Sequence, residues 1–298
     1  MMKTISDLIK KAIEKKGAVI AVAVAQDHHV LEAIKEAYQL GIADFILIGD
    51  KEKIEGIAKG MQMDLSPFEI YDIPDIVEAT QKAVELVSQN KATVLMKGLV
   101  DSSIVLKAAL NKQAGLRTSK KLSHIAVFEV PTYHKLLFIT DSAINIEPDV
   151  NTKKEIIQNA IEAVHKTGIS QPKVALLAAK EKVDEKMPVT LEYDQLVEMN
   201  KRDEIMNAIL AGPLSLDLAV SKEAAEIKNI HNPVCGDADI LVCPNIESGN
   251  ILYKALAFLA NAKNGGIVLG AKVPIIMTSR ADSSENKLAA IALGAIFN

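Results

Sequence analysis

Tryptophan is absent from this 298-residue chain, and its other aromatic rings are six Phe and five Tyr. Bases of single-stranded nucleic acid stack on such rings, so a chain this poor in them offers few platforms. An excess of positive charge is missing as well. The 34 basic residues face 38 acidic ones for a net charge of −4, which attracts neither phosphodiester backbones nor anionic lipid. Nucleic acid and membrane are therefore not expected as partners. The longest apolar runs, Ala18–Ala25 and Ala289–Phe297, fall far short of the roughly 20 residues of a membrane-spanning helix. The segment 1–16 breaks its apolar positions with Lys, Asp and Glu, so it reads as an amphipathic helix and not as a secretion signal, and a cytoplasmic protein is expected. Cys235 and Cys243 fit neither a close metal pair nor a redox motif, and buried reduced thiols are expected. No repeated His or Cys spacing marks a metal site, and none is expected; His28 and His29 read as polar residues at a helix start.

What is present is an ordinary globular composition, 49% apolar and 24% charged. At about 150 residues per domain, the length suggests two domains. Short runs such as Val19–Ala25, Phe45–Ile48, Thr93–Met96, Lys173–Ala178, Ile240–Cys243 and Pro274–Thr278 are apolar throughout, as in strands covered on both faces of a parallel sheet. Helical periodicity fills the gaps at His29–Gln39, Asp75–Gln89, Ser102–Asn111, Thr152–Lys166, Leu191–Leu210, Ser248–Asn261 and Ser283–Phe297. Thr152-Lys153-Lys154-Glu155 has the form of a capping box. This alternation predicts open α/β sandwiches. Ser123–Glu129 and Lys135–Thr140 are too close for a crossover helix and should pair as an antiparallel hairpin. A boundary is expected near residue 120, giving a first domain of 1–120 plus 268–298 and a second of 121–267.

Ligands of open α/β sheets bind beyond the carboxyl ends of the strands. Three such ends carry chemistry. After Val94–Met96 come Lys97, Gly98 and the hydroxyls of Ser102 and Ser103 at a helix start, which together suit an anion; the plainer reading is that Asp101 or Ser102 caps the helix. After Ile240–Cys243, Gly249 at a helix start would let a ligand approach the backbone, or Asn and Ser there simply cap. The third end holds Ser279, Arg280, Asp282 and Ser283. Arginine is scarce here, with three against 31 lysines by subtraction from the basic total, so an Arg where Lys would supply charge alone suggests its planar fork gripping phosphate or carboxylate. Asp282 reads first as a helix N-cap, with catalysis as the sharper alternative. Asp141 and Asp217 also follow strand-like runs and could line a cleft. Neither a P-loop nor a Gly-x-Gly-x-x-Gly fingerprint occurs; the nearest approach, Gly265–Lys272, has Ala271 where lysine is required.

Taken together, Lys97-Gly98 with Ser102-Ser103, Thr140-Asp141-Ser142, Gly212–Asp217, Asn245–Lys254 and Ser279–Ser283 resemble, in order and over nearly the whole chain, the phosphate acetyl/butyryltransferase family. The forms Asn245–Asn250 and Ser279–Ser283 are more like its butyryl branch. The resemblance implies two isopropylmalate-dehydrogenase-like α/β domains with an interdomain active-site cleft, a homodimer or higher oligomer with dimer contacts in the second domain, and no permanently bound cofactor. It also implies reversible exchange of a short-chain acyl group such as butyryl between coenzyme A, as substrate, and inorganic phosphate, by direct thiolate attack in a ternary complex. Ser279 and Arg280 would then hold the phosphate. Lys97, Ser102, Ser103, Lys107, Ser248, Gly249, Asn250, Lys254 and Ser283 would bind phosphate or coenzyme A. Where acetyltransferases carry a catalytic Asp, counting from Ser279 arrives at Asn286, so a carboxylate base would fall to Asp282 or Glu285. Phosphate acetyltransferase and a non-catalytic coenzyme A-binding module remain as alternatives.

Overall fold

In a computed structural model, which describes residues 2–112 and 115–298, short strands alternate with longer helices. The first part of the chain runs α1 (Ile5–Lys15), β1 (Val19–Ala23), α2 (His28–Gln39), β2 (Asp44–Gly49), α3 (Lys51–Gly60), β3 (Glu69–Asp72), α4 (Ile76–Ser88), β4 (Val94–Lys97) and α5 (Ser102–Ala109). There follow β5 (Ser123–Glu129), β6 (Leu137–Thr140), α6 (Val150–Lys166), β7 (Lys173–Leu177) and α7 (Pro188–Lys201). Next come β8 (Ile209–Leu214), α8 (Leu216–Val220), α9 (Lys222–Ile227), β9 (Ile240–Val242) and α10 (Ile246–Lys254), which runs on into a π-helical turn, Ala255–Leu259. The last elements are β10 (Lys263–Leu269), β11 (Ile275–Ile276) and α11 (Ser284–Phe297). Four helices start where an Asp accepts amides of the first turn, as Asp27, Asp50, Asp75 and Asp149 do for α2, α3, α4 and α6. No helix among the described residues is long and apolar enough to cross a membrane.

The chain divides into two compact α/β units. One comprises Ser6–Lys120 and Gly265–Asn298. Its strands lie in the order β3-β2-β1-β4-β11-β10, parallel except that β10 is antiparallel to β11. From β1 the chain steps outward to β2 and β3, then returns to the other side of β1 as β4. That reversal is the point where open α/β sheets form a crevice. The carboxyl ends of β1 and β4 adjoin there, with Ala23 opposite Lys97. α11 is buried from Leu288 to Phe297 on all sides, as befits a helix with almost no polar face.

The other unit comprises Met1–Ile5 and Lys121–Asn264, with strand order β5-β6-β9-β7-β8. Here β6, β9, β7 and β8 are parallel, and the expected hairpin is present as antiparallel β5 and β6, with Ile125 opposite Thr140. Phe128, Leu137, Ile139, Leu218 and Leu241 lie in its core.

Several local expectations need correction. The helix expected over Leu191–Leu210 ends at Lys201, after which Asp203 and Asn207 take left-handed conformations and the chain enters β8. The Asn200 amide donates to the Ile205 and Ala208 carbonyls and its oxygen accepts from Leu210 N–H, replacing the helical ladder. Thr152 does not open α6; Asp149 does, by accepting from the Thr152 amide at 2.8 Å. The helix expected over Ser248–Asn261 starts at Ile246 and changes to π-helix after Lys254. Of the amphipathic stretch 1–16, Met1 lies outside the described residues and the helix proper is α1.

Candidate functional site

At the carboxyl ends of β1, β4 and β11 the structure gathers Lys97, Arg280 and Lys287. Lys97 closes β4 and is only 5% exposed. Among the described residues its ammonium makes one hydrogen bond, to the Gly98 carbonyl at 3.3 Å. Burial pushes its pKa down, and the nearby charges of Arg280 and Lys287 push the same way against Asp101 and Asp27. A buried ammonium with so little compensation has an unmet demand for an anion. Gly98 allows the underlying packing: a Cβ there would collide with the Val24 carbonyl oxygen, and the Gly98 and Leu99 amides donate to the Ala23 and Val24 carbonyls. Val24 itself is buried at φ +61°, an unusual conformation for a β-branched residue. The backbone at this edge is thus held by its own hydrogen bonds before any ligand arrives.

Arg280 donates from its guanidinium to Asp101 Oδ1 at 2.7 Å. Both side chains are exposed, so the pair is weak and an arriving anion can compete for the guanidinium. Asp101 holds the N-cap position of α5 without a side-chain cap bond, and Ser102 does not cap either; the first amides of α5 remain uncapped beside two exposed hydroxyls, Ser102 and Ser103. Lys107 lies further along α5 and lines a cavity of about 630 Å³ with Ile73, Val77 and Ile104.

The turn that carries Ser279 and Arg280 is built by Asp282 and Lys287. Asp282 is not the helix cap expected from its sequence. Ser283 caps α11 by accepting from the Asn286 amide, whereas the buried Asp282 carboxylate folds back to accept from Ser279 N–H at 2.6 Å. Lys287 reaches back from the first turn of α11 to the Ser279 and Asp282 carbonyls at 3.1 and 2.7 Å. Its pKa is lowered by burial, opposed by Asp282 and Asp27. Sequence reasoning missed Lys287, although a lone lysine opening the apolar stretch Leu288–Phe297 was a signal. Ser279, Ser283 and Glu285 are exposed on the same turn and helix start.

The carboxyl edge of the other unit is organised differently. Asp141, 3% exposed, follows β6 through a cis peptide and accepts from the Ala143, Ile144 and Asn145 amides and from Asn145 Nδ2. Ser142 Oγ bonds to His124 Nδ1 at 2.9 Å, and burial holds the His124 pKa down against the pull of Asp141. Asn245 caps α10, with Ser248 bonded through its amide and hydroxyl to Asn245. The space that Gly249 leaves is taken by protein: a Cβ would collide with the Asp141 carbonyl oxygen. Asn250 Nδ2 donates to the Ser142 carbonyl at 3.1 Å. Asp141, Ser248, Gly249 and Asn250 are therefore brought together. Lys254 is exposed at the far end of α10, about 9 Å along the axis from Ser248. Asp217 stands apart beyond β8, paired with Lys228 at 3.0 Å, and its pKa is lowered first by Ser215 and then by Lys228. Both cysteines are buried free thiols; burial raises the Cys235 pKa and pushes Cys243 up to about 12, which leaves neither suited to act as a nucleophile.

Known proteins share this chain's sequence over most of its length. The family described as phosphate acetyl/butaryl transferase matches residues 4–80 and 74–295. A phosphate butyryltransferase from Clostridium acetobutylicum is 46% identical over 99% of this chain and 98% of its own length. A phosphate acetyltransferase from Thermotoga maritima is 42% identical over 95% of this chain and 96% of its own. Among solved structures, a branched-chain phosphotransacylase from Enterococcus faecalis superposes with a TM-score of 0.84 at 34% identity, covering 94% of this chain and 98% of that one. On this likeness the chain belongs to the phosphate acetyl/butaryl transferase family.

Proposed function

We propose that this protein is an acyltransferase that exchanges a short-chain acyl group, butyryl by preference, between coenzyme A and inorganic phosphate: butyryl-CoA + phosphate = butyryl phosphate + CoA. The observation that carries the reading is the 46% identity, end to end, with a phosphate butyryltransferase. The buried and exposed cations at the β4 and β11 ends supply a physical counterpart, since both phosphate and acyl phosphate are anions.

In this reading Arg280 and the hydroxyl of Ser279 grip the phosphate, with Lys97, Ser102, Ser103 and Ser283 around it, while the Ser279 amide stays bonded to Asp282. Phosphate oxygen attacks the thioester carbonyl, and the tetrahedral oxyanion collapses with loss of the CoA thiolate. The reverse step is attack of that thiolate on the acyl phosphate carbonyl, expelling phosphate. Attacking phosphate is already an anion and a thiolate leaves readily, so the chief demand is charge stabilisation and alignment, which fixed cations and amides meet. Asp282 acts by holding the Ser279 amide in place, while Lys287 ties the same turn from below. Lys107, in the same unit as these phosphate residues, is assigned to coenzyme A, whereas Gly249 is not, because the Asp141 carbonyl oxygen fills the space beside it. No permanently bound cofactor enters this scheme.

A homodimer is part of the proposal. Phe258 and Leu259, 64% and 88% exposed on the π-helical turn, with Ile251 on α10, form apolar surface of the kind that a second copy covers. Release of free thiol from acetyl-, butyryl- and isobutyryl-CoA with phosphate tests the reaction. Phosphate-dependent release that peaks at four carbons is expected. A peak at acetyl would assign a phosphate acetyltransferase, a reading that the 42% identity with one favours next. Coenzyme A binding with no release would overturn acyl transfer altogether.

A further inference from the structure

A separate group of side chains has the chemistry of a metal chelate. α2 begins with His28 and His29, and Glu32 follows one turn later as the i+4 neighbour of the first and the i+3 neighbour of the second. One imidazole nitrogen from each histidine and one carboxylate oxygen all lie within 4.8 Å of one another. His29 Nδ1 stands 3.8 Å from Glu32 Oε2, and the two rings meet edge to face with centroids 5.6 Å apart. Donors at 2.0–2.2 Å from a shared tetrahedral ion are about 3.4 Å apart, so small side-chain rotations close the set. The histidines are exposed and Glu32 half-buried, leaving those rotations unobstructed by a packed core. The start of a helix repels a cation, but the carboxylates of Asp27 at the N-cap and of Glu32 offset that field.

We propose that His28, His29 and Glu32 form a three-ligand surface site for a borderline-soft divalent cation, Zn²⁺ above all, with Ni²⁺ and Cu²⁺ as competitors and an open position left to water. Two imidazoles with one carboxylate select against Mg²⁺ and Ca²⁺, which take all-oxygen ligand sets. The four other histidines are engaged elsewhere: His124 with Ser142, His134 with Asp237, His165 with the Asn207 carbonyl and His231 with Asn229. The buried cysteines, with raised thiol pKa values, are poor competitors for the ion. The site is independent of the acyl-transfer reading. It lies on α2, just beyond β1, and the Asp27 carboxylate at the N-cap of that helix also acts on the Lys97 and Lys287 ammonium groups.

The test uses full-length protein stripped of metal by a chelator, then titrated with Zn²⁺ against a chromophoric competitor and with Co²⁺ for its visible absorption bands. One equivalent of Zn²⁺ per chain is expected, and excess Mg²⁺ should not displace it. His28→Ala and His29→Ala should each weaken binding about tenfold or more, and Glu32→Gln by less. Thermal melts of the metal-free variants should match the parent, because the three side chains support little of the fold. His28→Gln and His29→Gln serve if an alanine variant fails to fold. Absence of stoichiometric Zn²⁺ uptake, or uptake that survives the double histidine variant, overturns the proposal.

Discussion

Both units end their parallel strands in short loops that lead into helices, yet the two edges have opposite electrostatic character. Beyond β6 the Asp141 carboxylate is buried and takes four hydrogen bonds from the turn that it organises. At the end of β4 the Lys97 ammonium is equally buried and has, among the described residues, one long bond to a neighbouring carbonyl. The first is a completed structural network; the second is a cost carried by the fold until an anion arrives. In the proposed reading the same topology yields a strut in one unit and an anion receptor in the other. What separates them is whether the buried charge is satisfied from within.

Four substitutions test that contrast. The largest effect is expected at Arg280: Arg280→Ala should lower kcat by about 10²–10³ in the thiol-release assay, as loss of a charge-stabilising donor does, while the thermal melt stays near the parent because the Asp101 pair is exposed. Near-normal turnover would break the assignment of that edge as the receptor. Asp141→Ala should act on stability, costing about 3 kcal/mol by leaving the 143–145 amides without their acceptor, which denaturant titration would read. Gly249→Ala should cost about 2 kcal/mol, because the new methyl must displace the Asp141 carbonyl or the α10 backbone.

The smallest effect sharpens the comparison most, since its sign reverses. Lys97→Met should stabilise the fold by about 1 kcal/mol at neutral pH while raising KM for phosphate about tenfold. Between the lowered pKa of Lys97 and the ordinary 10.5, the unfolded chain binds more protons than the native one, so native stability rises with pH over that interval. The gain from Lys97→Met should therefore shrink as pH climbs toward 10.5, which melts at several pH values would measure. A destabilised Lys97→Met variant would mean that this lysine is a strut after all.

Fold class was legible because buried parallel strands lack polar alternation: β1, β2, β4, β7 and β9 announce themselves as apolar runs. β3, with Glu69 and Asp72 at its ends and half-exposed residues between, has no such run, and the first two residues of β8 fell within the helical periodicity of Leu191–Leu210, which the Asn200 side chain and the left-handed Asp203 and Asn207 cut short. At the candidate site, Arg280 was visible through the rarity of arginine and Lys97 through its place after a strand. The roles of neighbours were not. Asp282 looks like a cap in sequence because Asp at a helix start usually is one, and the competing acceptor role for Ser279 N–H exists only once the turn has folded. Gly249 looked like room for a ligand, and only packing could show that a carbonyl already fills it.

The discontinuity of the first unit bears on how the protein is made. Lys97 sits on β4, but Arg280 and Lys287 come from Gly265–Asn298, so this receptor has two of its three cations at the far end of the chain. On the ribosome, β1 to β4 emerge early and must wait, with an unfinished sheet edge beside β4, while the whole of Lys121–Asn264 is synthesised. That intervening unit is nearly continuous in sequence and can collapse as soon as it emerges. The waiting half, held open by nearly half of the chain's contour, is where a chaperone would be needed, and a transcript cut short before β11 would release a folded insert attached to an unclosed partner.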